Sequence, residues 1–205
     1  MVIGYKIIQT ESFLKGNYMR SYIKDNLYLI TNQILNQFGS AIMGLILSAA
    51  VGMSSNKWLI LFTTVFTIGF YMVVQYTSLW DAGARDIIRV EGKRLPYRPY
   101  AGLVMSVFSA IPNFILGILV VVGTIFSSTS GAFGFEWAGN MCAVAKGIAL
   151  FWESMYNGII QLYSPNNPWI YMLIPIPAMV AAGLGYFAGI KNFQIIRVKK
   201  KSKTK

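Results

Sequence analysis

The apolar residues of this chain fall into long blocks. Four blocks reach the roughly 20 residues that a helix needs to cross a bilayer. They run from Ile34 to Met53, Trp58 to Leu79, Ala101 to Phe126 and Trp169 to Ile190, and their central portions carry no charged residue. Two weaker patterns lie between and before them. In residues 12–33, Met19, Tyr22, Ile23, Asn26, Leu27 and Ile30 recur at the three–four spacing of a helix. That predicts an amphipathic helix on the cytoplasmic face, or one that runs on into the first span. In residues 127–168, Met141, Val144, Ile148, Phe151, Met155, Ile159 and Leu162 repeat in the same way, with Asn140, Lys146, Glu153, Asn157 and Gln161 on the other face. Two charged residues in its middle argue against a fifth span. The pattern predicts an outer helix over 137–163, interfacial or re-entrant, closed by the turn sequence from Ser164 to Pro168.

The predicted fold is an all-α integral membrane protein forming one membrane domain over residues 1–205. It has four transmembrane helices, an N-terminal amphipathic helix and an outer helix. Pro112 in the third span and Pro175 and Pro177 in the fourth each remove a backbone donor and predict kinks. Composition agrees with a lipid solvent, because 12% of residues are charged against about 25% in soluble domains.

Charge orients the fold. The net charge is +11, and it lies outside the apolar blocks. Residues 1–33 hold four lysines and arginines, the 80–100 loop holds five and the 191–205 tail holds seven, against Lys57 and Lys146 on the other side. The positive-inside rule then places both termini and the 80–100 loop in the cytoplasm of a multi-pass cell-membrane protein. Trp58 and Trp169 mark the outer edge; Trp80, Tyr97 and Tyr100 mark the inner one. The polybasic tail from Arg197 to Lys205 fits anionic lipids, at about 1 kcal/mol for each basic residue near the leaflet. It lacks the aromatic interleaving of single-strand binders, so nucleic acid is not an expected partner.

Candidate chemistry is sparse. The chain has no histidine and a single cysteine, Cys142, which excludes serine–histidine hydrolases, dithiol redox enzymes and zinc sites built on histidine. Two carboxylate pairs are conceivable, Glu136 with Glu153 outside and Asp81 with Asp86 inside, but neither has an apolar pocket evident in the sequence. No catalytic residue, metal or cofactor is expected, and the chain reads as a non-enzyme. Three features remain. Small residues recur every fourth position as Ser40, Gly44, Ser48 and Gly52, as Gly102, Ser106 and Ala110, and as Ala181, Gly185 and Gly189. Such stripes let helices approach closely, either within the bundle or between subunits. The second block lacks one, and its Phe, Val and Ile content predicts a more lipid-exposed helix. The cytoplasmic loop offers Trp80, Asp81, Arg85, Asp86, Arg89, Lys93 and Arg94 as a docking surface for a partner or a lipid headgroup, or simply as a solvated basic loop. Asn113, next to Pro112, either lines a polar cavity or hydrogen-bonds a neighbouring helix.

The Asp-x-Gly-x-x-Asp arrangement of Asp81, Gly83 and Asp86, followed by a basic stretch and the Ser-x-x-Pro of Ser109 to Pro112, resembles a group of small, uncharacterised polytopic bacterial membrane proteins. The resemblance covers residues 76–116 and implies no activity. The leading expectation is a structural or accessory subunit of a larger membrane assembly, or a homo-oligomer. A channel or transport facilitator with a path near Pro112 and Asn113 is the alternative. A lipid-headgroup enzyme using the loop carboxylates is the third.

Overall fold

The computed structural model describes residues 24, 26–54, 56–94, 97–133, 136–163 and 166–191. Along these residues the elements are α1 (Leu27–Gly52), α2 (Lys57–Glu91), α3 (Ala101–Phe133), α4 (Glu136–Trp152), a 3-10 turn (Ser154–Tyr156), α5 (Asn157–Tyr163), α6 (Ile170–Leu173) and α7 (Pro175–Ile190). Four helical stretches are long and apolar enough to cross a membrane: α1, α2, residues Ala101–Ser127 of α3, and Ile170–Ile190. They match the four apolar blocks.

The ends of the helices differ from those blocks for local reasons. Helix α1 begins at Leu27 behind Asn26, so Leu27 and Ile30 belong to the first long helix rather than to a separate one. Met19, Tyr22 and Ile23 of the predicted surface helix lie outside the described residues, as do Ser164, Pro165 and the tail beyond Lys191. At 35 residues, α2 is about 52 Å long at 1.5 Å per residue. That exceeds a hydrocarbon core of about 30 Å, so its last turns project beyond one, and the loop residues from Trp80 to Glu91 are helical. The helix stops in a Schellman turn, with the Arg94 amide bonded to the Arg89 carbonyl at 2.9 Å and the Lys93 amide to that of Val90 at 3.0 Å. The left-handed position falls on Lys93, with φ of 56°, and not on Gly92. Lys93→Gly should therefore raise stability by roughly 0.5–1 kcal/mol, read as a higher unfolding midpoint in detergent.

Close backbone contact holds α7 on the C-terminal half of α2. A Cβ on Gly185 would collide with the Tyr76 carbonyl and one on Gly189 with that of Trp80, while Gly83 of α2 lies under the Tyr186 carbonyl. Two elements thus interlock through missing side chains. On α3, Gly102 seats the Tyr186 ring and Ser106 donates to the Met179 carbonyl at 3.2 Å. Leu79, Met105, Ala182 and Tyr186 form the apolar core of this half. The opposite half of α2 turns Phe62, Val65, Phe66, Phe70 and Val73 outward, as its composition predicts. Helix α3 stays helical through Pro112, whereas Pro175 follows a break at Ile174 between α6 and α7.

Candidate functional site: a buried turn between two polar cavities

The segment between α3 and α6 folds against the long helices. Its inward face is made of small residues: Cys142, Ala145 and Ala149 are buried, and Cys142 fills the space left by Gly123 of α3. The Thr124 hydroxyl meets the Cys142 sulfur at 3.3 Å. Ten residues on, the Trp152 indole N–H donates to Asn113 Oδ1 at 2.6 Å, so α4 runs antiparallel to α3. The chain then turns at Ser154–Tyr156, and α5 returns along α2, with Gly158 packed on Thr64 and Ile60.

The turn is fixed by two long helices. The Cα hydrogens of Gly44 on α1 face the Met155 backbone, which leaves no room for a side chain. Ser154 Oγ donates to the Ala41 carbonyl, and Thr67 of α2 donates to the Met155 carbonyl at 3.0 Å. Phe38 packs against Phe151 and Trp152 with ring centroids 6.0 and 6.2 Å apart. Gly44 lies about 12 Å along α1 from Gly52, and Thr67 about 15 Å along α2 from Lys57, at 1.5 Å per residue. The turn is therefore level with the middle of the apolar stretch of α2 from Trp58 to Leu79, and about two-thirds of the way along α1.

The sequence pattern over residues 137–163 predicts one helix, interfacial or re-entrant, and the structure divides it. The helix breaks after Trp152. Val144, Ile148 and Phe151 are exposed, while Glu153 and Asn157 are buried. Along α4 the bulky stripe points away from the bundle and the small residues Cys142, Ala145 and Ala149 point into it, while Asn140 and Gln161 stay exposed and Met155 is buried.

Glu153 is 2% exposed. Neither carboxylate oxygen has a hydrogen-bond donor, and the Tyr156 Oη and Asn157 Oδ1 atoms are also buried without a partner. The rings of Tyr71 and Tyr156 meet edge to face at 6.4 Å. Among the described residues the ion pair within 4.0 Å is Arg89–Asp86, so neither Lys146 nor any other described cation neutralises Glu153.

A polar cavity lies on each side of the turn. The first, about 10 Å³, is lined by Gln33, Gln37, Tyr71, Gln75, Ser109 and Asn113, among others. Gln37 and Asn113 exchange amide hydrogen bonds of 2.6 and 3.1 Å, Ser109 donates to Gln33 Oε1 at 2.5 Å, and Gln75 donates to the Gln33 carbonyl at 3.1 Å. Gln33 Nε2 and Gln75 Oε1 keep unused hydrogen-bonding capacity, and the space suits about one water. The second cavity, about 40 Å³, is lined by Ser48, Thr63, Thr64, Asn157, Gly158 and Gln161, among others, with Gly52 at its edge. Gly52 and Gln161 are exposed, so this cavity lies at the end of the bundle where α1 stops and α2 starts.

The other predicted residues sit elsewhere. Ser40, Gly44 and Ser48 face the turn side of α1, with Ser48 Oγ 3.5 Å from the Ser154 carbonyl, while a Cβ on Gly52 would meet nothing within 4 Å. Gly102, Ser106, Ala110, Gly185 and Gly189 are buried and Ala181 is partly so. In the loop, Asp81, Arg85, Arg89, Lys93 and Arg94 are exposed, the Trp80 carbonyl faces Gly189, and Asp86 accepts from Tyr186 Oη at 2.9 Å. The carboxylate pairs do not assemble. Glu136 and Glu153 flank the two ends of α4, about 25 Å apart along its axis, and Asp86 is engaged by Tyr186 and Arg89 while Asp81 faces outward. Among the described residues no group of three His, Cys, Asp or Glu side chains is placed to hold a metal. Comparison with protein-family models, curated proteins and solved structures found no match.

Proposed function

We propose that this chain is a transport facilitator of the cell membrane, in which α4, the 3-10 turn and α5 form a re-entrant hairpin that carries a carboxyl group to mid-membrane. Glu153 carries the reading. An uncompensated carboxylate in an apolar interior costs several kcal/mol, and ionisable groups kept inside membranes mark pathways for ions and protons. The two polar cavities lie on either side of the turn, and Asn157 of the turn lines one of them. A discontinuous helix pair near the midplane is also how many transporters build their sites. The amide pair of Gln37 and Asn113 then positions the hairpin through Trp152, which places Asn113 beside the path rather than at its centre. In this reading the basic 1–33, 80–100 and 191–205 segments face the cytoplasm and its anionic lipids, and α4 enters from outside.

Membership of a larger assembly drew its sequence support from the small-residue stripes. Those stripes are largely used within the chain, by the hairpin turn and by α7, which leaves the facilitator as the better supported reading. Liposomes containing the purified protein should dissipate proton, sodium or potassium gradients, imposed in turn, faster than empty liposomes. Glu153→Gln should lower that flux by about 10-fold or more, the scale of one lost charge-stabilising contact. Equal flux through the wild type and the variant for every gradient would rule the proposal out.

A further inference from the structure

The unsatisfied atoms at the turn share one chemistry. Glu153 Oε1 and Oε2, Tyr156 Oη and Asn157 Oδ1 are all oxygens, all buried and all without a hydrogen-bond partner. They come from one stretch of five residues at spacings of three and four, so one turn of chain presents them. Asn157 is oriented by its own amide, which donates to the Leu150 carbonyl at 3.0 Å and leaves the oxygen free. The Tyr156 hydroxyl carries one donor and a protonated Glu153 would carry another, but neither group is bonded to a neighbouring oxygen in the structure. A hard metal cation binds several oxygens at once.

Charge selects the valence. One carboxylate with neutral hydroxyl and amide oxygens balances a single positive charge, and a divalent ion would leave a net charge in the apolar interior. The site is also enclosed: Glu153, Tyr156 and Asn157 are each less than a tenth exposed, which excludes a hydrated ion or a bulky organic ammonium. Access exists on one side. Asn157 lines the 40 Å³ cavity together with Thr63, Thr64 and Gln161, whose hydroxyl and amide oxygens can replace waters stepwise. On the other side the Leu79, Met105, Ala182 and Tyr186 core closes the bundle.

We infer that the turn from Glu153 to Asn157 binds a dehydrated monovalent metal cation, which enters through the cavity lined by Asn157 and Thr64. The inference rests on the facilitator reading by naming what occupies its central carboxyl. Sodium is the probe. The full-length protein in detergent is melted in sodium, potassium or choline chloride at one ionic strength and one pH. A bound ion stabilises the folded state by mass action, so sodium or potassium should raise the unfolding midpoint saturably by several degrees over choline. Glu153→Gln should abolish the rise. Tyr156→Phe, which keeps the ring against Tyr71 and removes only the oxygen, should shift the half-saturating concentration upward severalfold. Equal midpoints for the wild type in all three salts would overturn the inference, as would an undiminished rise in Glu153→Gln or a midpoint that follows pH alone. Cation-dependent stabilisation without liposome flux would keep the site and reject the facilitator. Flux without cation-dependent stabilisation would do the reverse.

Discussion

Gly44→Ala should destabilise the protein by about 2 kcal/mol or more, while Gly39→Ala, five residues away on the same helix, should be neutral or stabilising by up to about 1 kcal/mol. The two sites differ only in what a methyl group would meet. At Gly44 a Cβ runs into the Met155 amide nitrogen and Cα, and at Gly39 it finds nothing within 4 Å. Backbone atoms cannot rotate away as a side-chain end can, so the turn must retreat or α1 must shift. Either movement strains the Ser154 bond to Ala41 and the Thr67 bond to Met155. Gly44→Leu should expel the turn altogether. Unfolding midpoints in detergent give the first comparison. The second is read with Ser154→Cys in a Cys142→Ser background: its thiol should resist a maleimide when Gly44 is present and react readily in the Gly44→Leu protein. Equal protection in both would mean that the turn is not seated on α1.

Glu153→Gln should make the protein more stable where it makes it less active. The amide keeps the shape of the carboxyl and removes the buried charge. An uncompensated buried charge costs several kcal/mol, and for a chain of this size each kcal/mol moves the midpoint by about 2–4 °C. In choline chloride, with no small metal ion present, Glu153→Gln should therefore melt several degrees above the wild type. Sodium should narrow the gap by stabilising only the wild type. A variant that melts lower than the wild type in choline would show that the carboxylate has a partner within the protein. Stability given up at one residue in exchange for activity is the pattern expected of a functional position.

The four long helices were legible in the sequence because their signal is length without charge, which needs no knowledge of neighbours. Asp81 and Arg85 stand at helical spacing beyond Leu79, where α2 does continue, although the ion pair that forms is Arg89 with Asp86. The hairpin was not legible. Its periodicity is that of any amphipathic helix, and periodicity does not say which face meets water. The distinguishing sign lies in residue size: Cys142, Ala145 and Ala149 form a small face opposite Val144, Ile148 and Phe151, and only small residues let α4 approach α3 at Gly123. The stripe on α1 was visible, but its occupant is a turn about 110 residues later in the chain, a contact that local pattern cannot encode. Asn113 was singled out through Pro112. Its partners Gln37 and Trp152 depend on tertiary packing, so the cavity beside them could not be drawn from sequence.

The groups that grip the turn, Ala41 and Gly44 in α1, Thr67 in α2 and Asn113 in α3, all precede it in the chain. During synthesis the receptor for the hairpin is therefore complete before the hairpin leaves the ribosome. Glu153 and Asn157 need not wait in lipid for later helices to shelter them. Helices α6 and α7 arrive last and close the bundle over a hairpin already in place, so truncation after Tyr163 would leave the hairpin its α1, α2 and α3 anchors while removing the helix that locks α2.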